Sequence, residues 1–353
     1  MIVNTAQIRN AAISAGLSTL IGTLFHPLLL TAIAAFSLYA PEQYVTPVVE
    51  LYRAWTSPEV RDIIEASFKL GLCFSLVAKI NHFLSVGAEN NWAKDSYEWS
   101  KEVVLITGAS SGYGERITEL LALRGIKVIT LSRTPLNETL SSYRNVHWYK
   151  CDITDSVNVA ATAAQIRKKH GDPTVIVNNA GKYDKGYILD RDVKDVQKTM
   201  DVNFNSHFTI IKEFLPALIK KNHGHIVTIA SLGSYATVAG GSDYYGSKSA
   251  LVSLHETLRL ELRHVYKAEK VRTSLINPSW TETPMVAKEW ESSLRKRGTP
   301  ILKLDDVIIP IVDIILAGYS RGPVVIPEIY SFVTGVRGWP GWIHEALQNA
   351  VQV

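Results

Sequence analysis

A chain of 353 residues, 46% apolar and 20% charged with a formal net charge of +4, carries enough apolar material for a sizeable core and falls outside the disordered and fibrous classes. The positive charge suits mild attraction to anionic headgroups, but no dense Lys/Arg tract points to nucleic acid. Cys73 and Cys151 are the only cysteines, which argues against a disulfide framework or a zinc site, and no metal is expected.

From Arg9 to Glu42 no charged residue intervenes, and Leu17–Ala40 is mostly Leu, Ile, Ala, Thr and Phe. That run is long enough to cross a hydrocarbon core of about 30 Å. A cleaved signal peptide or a buried core helix are the alternatives, but the run is longer than a signal's apolar region and lacks a clear cleavage site. A membrane anchor is expected, with His26-Pro27 near its middle either kinking the helix or letting it return as a hairpin. Leu70–Ala78, between Lys69 and Lys79, reads as too short to span alone and predicts an interfacial helix whose lysines reach the headgroups.

Glu102–Ile106 is a β-branched apolar run and Glu115–Leu123 has helical periodicity, so a strand and a helix flank Thr107-Gly108-Ala109-Ser110-Ser111-Gly112-Tyr113-Gly114. Gly108 permits a tight turn; Gly112 and Gly114 let backbone and helix approach a pyrophosphate, whose charge meets the unpaired N–H groups of the helix N-terminus. An ordinary glycine-rich turn is the alternative, because the spacing is G-x-x-x-G-x-G rather than the commoner G-x-G-x-x-G. Ile126–Leu131 is a second strand, followed by Ser132 and Arg133 with no carboxylate. An acidic residue there would bind the ribose diol of NAD, a basic one a 2′-phosphate. Arg133 and the Ser132 hydroxyl therefore favour NADP(H) over NAD(H), unless Arg133 is only a solvated loop cation.

Strands and helices then alternate. Val146–Tyr149 is a third strand, ending at Cys151-Asp152, and Thr174–Val177 a fourth, ending at Asn178-Asn179-Ala180-Gly181. Ser156–His170 and Val193–Lys221 are helical. The pattern predicts an α/β fold with a doubly wound parallel sheet of Rossmann type.

His225–Ala230 is another buried strand, which puts the Ser231 hydroxyl at its carboxyl end, where open α/β sheets bind ligands. A donor there can hydrogen-bond a carbonyl oxygen as negative charge develops on it. Tyr244 and Lys248 are four apart, on one face of a helix. A phenol titrates near pH ~10 and is a poor acid–base catalyst at neutral pH unless a nearby ammonium lowers that value. Lys248 is placed to supply it.

Together TGASSGYG, NNAG at Asn178–Gly181, Ser231, Tyr244, Lys248 and a strand ending in Asn277-Pro278 resemble the short-chain dehydrogenase/reductase family from about Glu102 to Pro327. The resemblance implies a catalytic tetrad of Asn203, Ser231, Tyr244 and Lys248. Asn203 would hold, through its backbone, a water linking the lysine to a proton relay. Tyr244 would be the general acid in reduction, Ser231 would position the carbonyl, and Lys248 would also bind the nicotinamide ribose. It further implies a cofactor contact surface of Thr107, Gly108, Ser110, Ser111, Gly112, Tyr113, Gly114, Ser132, Arg133, Asp152 (at the adenine edge), Ile153, Asn179, Ala180, Gly181, Pro278 and Thr283. Ser279, where the family often has glycine, leaves the local backbone open, and Tyr113 replaces a common small aliphatic.

Asn90-Asn91-Trp92, between the hydrophobic N-terminus and the glycine loop, is similar to the junction in membrane-bound retinol dehydrogenases and 17-beta-hydroxysteroid dehydrogenases. It implies a lipophilic carbonyl or alcohol as substrate (a retinoid, steroid or long-chain lipid), with the enzyme at the endoplasmic reticulum or lipid droplets. The expected organisation is a membrane-anchoring region over 1–100, an NADP-binding catalytic domain over 101–330 facing the cytosol, and a C-terminal extension over 331–353. A homodimer or homotetramer is favoured by the resemblance and by the long helix Tyr245–Tyr266. A reductase of a soluble secondary-metabolite intermediate and a non-catalytic membrane-tethered scaffold remain alternatives. The substrate pocket is expected from Lys182–Asp190, Leu232–Ser242 and Trp280–Lys303, the last either a lid or a helix packed on the core; Trp339–Ile343 reads as an interfacial contact or as core or dimer packing.

Overall fold

The computed structural model describes residues 57–286, 294–295 and 299–350. The Leu17–Ala40 run with His26-Pro27, and Lys288, Glu289, Trp290, Lys296 and Arg297 of the expected lid, lie outside the described residues. The chain divides into two compact units, 1–86 and 87–353.

In the first unit the described residues lie almost entirely in one helix, α1 (Pro58–Glu89). The Leu70–Ala78 patch is not an isolated short segment. It sits inside a 24-residue stretch, Ala66–Glu89, that contains an 18-residue window of mean hydropathy 1.4 and at 1.5 Å per residue measures about 36 Å. Leu70, Phe74, Val77, Ile80 and Phe83 are all exposed on it. The interfacial expectation is corrected on one point: this helix is long and apolar enough to cross a bilayer, because its apolar residues continue past Lys79 instead of ending there.

The second unit is built on strands β1 (Val103–Thr107), β2 (Lys127–Ser132), β3 (Val146–Lys150), β4 (Val175–Asn178), β5 (Gly224–Ile229), β6 (Val271–Pro278) and β7 (Arg321–Ile326). They form one sheet in the order β3-β2-β1-β4-β5-β6-β7, every pairing parallel. Parallel neighbours require crossovers, and the intervening helices supply them: α2 (Gly112–Ala122), the short α3 (Glu138–Ser142), α4 (Ser156–His170), α5 (Val193–Met200), α6 (Ser206–Lys221), α7 (Ser242–Leu260) and α8 (Leu304–Ala317), with α9 (Gly341–Ala350) closing the chain.

Successive strand residues face opposite sides, and the core divides accordingly. Val104 and Ile106 of β1 pack with Ile117 and Leu121 of α2 and with Ile311 and Ile315 of α8. Val103 and Leu105 pack on the other face with Ile166 of α4 and with Ile210, Phe214 and Leu218 of α6. Burial on both faces explains why the strands read as continuous apolar runs. Helix ends are set locally: Asp155 accepts hydrogen bonds from the Val157 and Asn158 amides at the start of α4, and α6 ends at Asn222 in the left-handed conformation.

The Asn-Asn-Trp junction has a structural reason. Asn90 Nδ2 donates to Ser320 O (3.2 Å) and Asn90 Oδ1 accepts from Ser320 N (2.7 Å), while Arg272 donates to Asn90 O (3.0 Å) and Ala93 O (2.6 Å). Asn91 and Trp92 both have positive φ, so this turn is held in shape by the amino ends of β6 and β7.

Candidate active site

The strand order reverses between β1 and β4, the crevice where such sheets hold ligands. Thr107 Oγ1 closes it by accepting from the Asn179 and Ala180 amides, each at 3.1 Å, and Asn179 Nδ2 donates back to Thr107 O (2.9 Å) and Gly108 O (3.2 Å). Gly108 has φ +70°, and a Cβ on it would lie 2.9 Å from Ala180 Cα. At Gly114 a Cβ would come within 2.5 Å of Gly108 O and 2.6 Å of Asn179 Nδ2. Gly112 has φ +61°, in the left-handed region that favours glycine, and a Cβ on it would meet Pro284 and Thr283 side-chain atoms only at ordinary contact, 3.9 Å or more. Two glycines thus permit close packing and the third the left-handed turn into α2, and the hollow lined by Gly108, Ser110, Ser111 and Gly112 at that helix N-terminus has a shape and polarity that fit a dinucleotide pyrophosphate.

The hollow opens into a cavity of about 690 Å³, within the range of small-molecule sites. Gly108, Ser110, Ser111, Gly112 and Tyr113 line one end together with Arg133, Asp152 and Ile153; Asn179, Ala180 and Gly181 continue the wall to Ser231, Tyr244, Lys248, Pro278 and Thr283. Thr107, Gly114 and Asn203 stand behind that wall, and each shapes it. Asn203, fully buried in a π turn at Asp201–Asn205, accepts from Lys182 N (2.8 Å) and donates to Lys182 O (2.9 Å) and Ser247 Oγ (3.0 Å). Its side chain therefore joins the segment after β4 to α7, the helix that carries Tyr244 and Lys248. π turns recur at functional sites.

Ser231, just past β5, accepts from Gly233 N (3.1 Å) and hydrogen-bonds the Tyr244 hydroxyl. The Tyr244 ring meets Tyr183 edge-on at 4.9 Å. Lys248 is buried, donates to Ile229 O (2.9 Å) and lies 5.8 Å from the Tyr244 ring centroid. The expected depression of the Tyr244 pKa by Lys248 is not what dominates. Burial raises Tyr244 above the ordinary phenol value, the Ser231 hydrogen bond opposing it, because the ammonium is turned to a backbone carbonyl. The lysine itself is pushed down to about 8 by burial. At neutral pH the site presents a protonated phenol beside a cation, the state in which tyrosine can give a proton.

This arrangement coincides with a family match. Residues 102–293 match the short chain dehydrogenase family. The chain belongs to that family.

Similar proteins to this short chain dehydrogenase include Dehydrogenase RED2 of Cochliobolus heterostrophus, 43% identical over 57% of the chain and 76% of the relative. Human 17-beta-hydroxysteroid dehydrogenase 13 is 32% identical over 61% and 72%, respectively, and mouse epidermal retinol dehydrogenase 2 is 34% identical over 61% and 71%. Among solved structures, ligand-free aldohexose dehydrogenase of Thermoplasma acidophilum aligns with TM-score 0.56 at 25% identity, covering 64% of this chain and 92% of that one.

Ser132 lines the cavity beside Arg133. Its hydroxyl donates to Thr134 O (2.7 Å) and accepts from Trp148 Nε1 (2.9 Å), so donating to a 2′-phosphate would exchange the Thr134 bond for that one. Arg133 remains exposed at that end of the cavity. Tyr113 is more than a bulky substitute: its hydroxyl donates to Thr281 Oγ1 (2.6 Å), bridging the glycine loop to the segment after β6. Ser279 sits in ordinary backbone, its amide paired with Ile326 O (2.8 Å).

The substrate side differs from the sequence expectation in one wall. Tyr183, the Leu232–Val238 loop, Trp280, Met285 and Val286 line it, as does Pro300, but so do Tyr330, Phe332, Val336, His344, Leu347 and Gln348. The extension after β7 folds over the cavity, held by Arg337 Nε to Tyr235 O (3.2 Å) and Gln348 Nε2 to Thr237 Oγ1 (3.2 Å). Spacing such as Phe332, Val336 and Leu347 marks an apolar face without saying what it covers. Trp342 is 76% exposed and is not part of this wall.

Proposed function

We propose that this dehydrogenase is a membrane-associated, NADP(H)-dependent enzyme interconverting a carbonyl and an alcohol on a lipophilic substrate such as a retinoid, steroid or long-chain lipid. The observation that carries the reading is the meeting of Ser231, Tyr244 and Lys248 on one cavity whose far wall is Phe332, Val336 and Leu347. When bound, the nicotinamide supplies the hydride. The cofactor-binding role falls to the glycine loop, Arg133, Asp152, Asn179–Gly181, Pro278 and Thr283. Asp152 is pre-set by Thr154, whose amide and hydroxyl donate to its carboxylate and hold its pKa below the usual range. Arg133 at the end of β2, with no carboxylate in that position, supports the phosphorylated cofactor.

In the reductive direction the Ser231 hydroxyl orients the substrate oxygen, and Tyr244 donates its phenolic proton to that oxygen as charge develops there. Lys248, charged at neutral pH, favours the phenolate left behind, and Asn203 holds the segment after β4 against α7. Oxidation runs the same proton transfer backwards. Support for membrane association comes from the apolar length of α1, and support for a lipophilic substrate from the retinol and hydroxysteroid dehydrogenases to which the chain is similar.

The test is cofactor consumption by detergent-solubilised wild type and Tyr244→Phe protein, with NADPH and with NADH, on retinals, keto-steroids, long-chain ketones and small water-soluble carbonyls. We expect turnover of lipophilic carbonyls with NADPH and a loss of ~100-fold or more in the variant. Equal efficiency with NADH overturns the cofactor assignment, and preference for the water-soluble compounds overturns the substrate class.

A further inference from the structure

A phenol offers its proton in the plane of its ring, because the hydroxyl oxygen is conjugated with that ring. Turning the ring therefore turns the line along which the proton can leave. The torsion that turns a tyrosine ring is broad and two-fold, with no single sharp well of its own, so its neighbours must fix the plane. At Tyr244 those neighbours are two further tyrosines. The Tyr183 ring stands 4.9 Å from the Tyr244 ring at 85°, and the Tyr245 ring 5.5 Å away at 80°. Both pairs have the edge-to-face geometry that aromatic rings favour, and all three residues line the cavity.

The two flanking rings are themselves held. Tyr245 lies against bare backbone: a Cβ on Gly233 would come within 2.6 Å of its Cδ1 atom, and one on Gly241 within 2.7 Å of its Cε2 atom. The same Cβ on Gly241 would stand 3.0 Å from Tyr183 Cε2. The Tyr183 hydroxyl donates to Gly240 O (3.4 Å), a carbonyl that also accepts from Gly186 N (3.1 Å). Three segments are thereby joined around Tyr244: the one after β4, the loop after β5 and the first turn of α7. Burial raises the Tyr183 and Tyr245 phenols above the ordinary value, so both stay neutral and act on Tyr244 by shape.

We propose that Tyr183 is a positioning residue for Tyr244: with Tyr245 it fixes the plane of the Tyr244 ring, and with it the direction in which the proton meets the substrate oxygen. This deepens the proposed carbonyl–alcohol chemistry and rests on it. Ser231 sets where the substrate oxygen sits, Lys248 favours the phenolate, and Tyr183 sets the line of the transfer. Alignment of this kind acts on the chemical step, not on ground-state binding.

The test compares full-length wild type with Tyr183→Phe, which keeps the ring, and Tyr183→Leu, which removes it. Tyr183 is half-buried on the cavity wall, so neither change empties the core. On a carbonyl that wild type turns over, kcat, KM and the isotope effect of a nicotinamide deuterated at the transferred position are measured. We expect leucine to lower kcat roughly tenfold or more and to enlarge the isotope effect, with KM within about threefold and phenylalanine within about twofold of wild type. Separately, Tyr244→3-fluorotyrosine in each background reports ring motion by fluorine NMR. A ring held between neighbours flips slowly and gives two resonances, so we expect two in wild type and Tyr183→Phe and one averaged line in Tyr183→Leu. Unchanged kcat in Tyr183→Leu, a loss confined to KM, or a phenylalanine variant that falls as far as leucine overturns the inference. Absence of turnover with every carbonyl counts against the oxidoreductase reading instead. The fluorine spectra still decide the role of Tyr183 in that case: the same pattern in wild type and Tyr183→Leu removes it.

Discussion

At the residue scale, burial sets the protonation states of the two groups on which the proposed chemistry depends. Tyr244 is held above the ordinary phenol pKa, so it keeps its proton through the neutral range. Lys248, lowered to about 8, carries its charge below that pH and loses it above. The sign of the pH dependence follows: reduction as proposed needs the protonated tyrosine and the lysine cation together, so kcat/KM, which reports the free enzyme, is expected to fall as pH rises through about 8. A profile flat to pH ~10, the ordinary lysine range, would remove Lys248 from the charge-stabilising role. Both residues were legible from their four-residue spacing. The direction of the lysine side chain was not, because its hydrogen bond to Ile229 O joins groups 19 residues apart that meet only once α7 packs on β5.

At the scale of elements, two features hold the site in shape. The glycine loop is tight enough that Gly114→Ala would push a methyl against Gly108 O and Asn179 Nδ2. Overpacking of this sort costs about 1–3 kcal/mol, and the loop and the Asn179 wall would separate. Lower melting temperature and at least several-fold weaker NADPH binding, followed by nucleotide fluorescence, are the expected results. The second feature is the pair Arg191–Asp243 at 2.5 Å, with side chains only 10% and 1% exposed. It pins the segment after β4 to the first turn of α7, immediately before Tyr244. Arg191→Met leaves a buried carboxylate unpaired, a change worth about 3 kcal/mol or more; denaturant titration should show it, along with a lower kcat. Nothing in the sequence singled out this pair, since its partners are 52 positions apart and each taken alone reads as a surface charge. By contrast, α4 falls at Ser156–His170 as its periodicity predicts, and the strands agree to within about a residue at each end, because their apolar runs are buried on both faces and end where turn chemistry begins.

At the scale of the whole molecule, the catalytic unit and the apolar helix ask for different surroundings. The exposed Leu70, Phe74, Val77, Ile80 and Phe83 on α1 are costly in water, at about 25 cal/mol for each Å² of apolar surface left wet. The full-length protein is expected to stay with membranes through carbonate and high-salt washes and to need detergent for release. Recovery in the soluble fraction after either wash would sink the membrane assignment. The C-terminal wall belongs to this scale as well. It adds an apolar wall of Phe332, Val336 and Leu347 to a cavity at the sheet's edge.

The sequence by itself determined the alternation that makes the doubly wound sheet, the glycine loop between β1 and α2, and the four-residue spacing that sets Tyr244 and Lys248 on one face of α7. These are local patterns in which neighbours along the chain remain neighbours in space. Only the tertiary structure decided which partners the Ser132 hydroxyl holds, where Lys248 points, that Leu70–Ala78 belongs to one long helix, and that the segment after β7 folds over the cavity. Those facts depend on contacts such as Gln348 with Thr237, 111 residues apart, and a contact of that separation leaves no periodicity or spacing in the chain from which to read it.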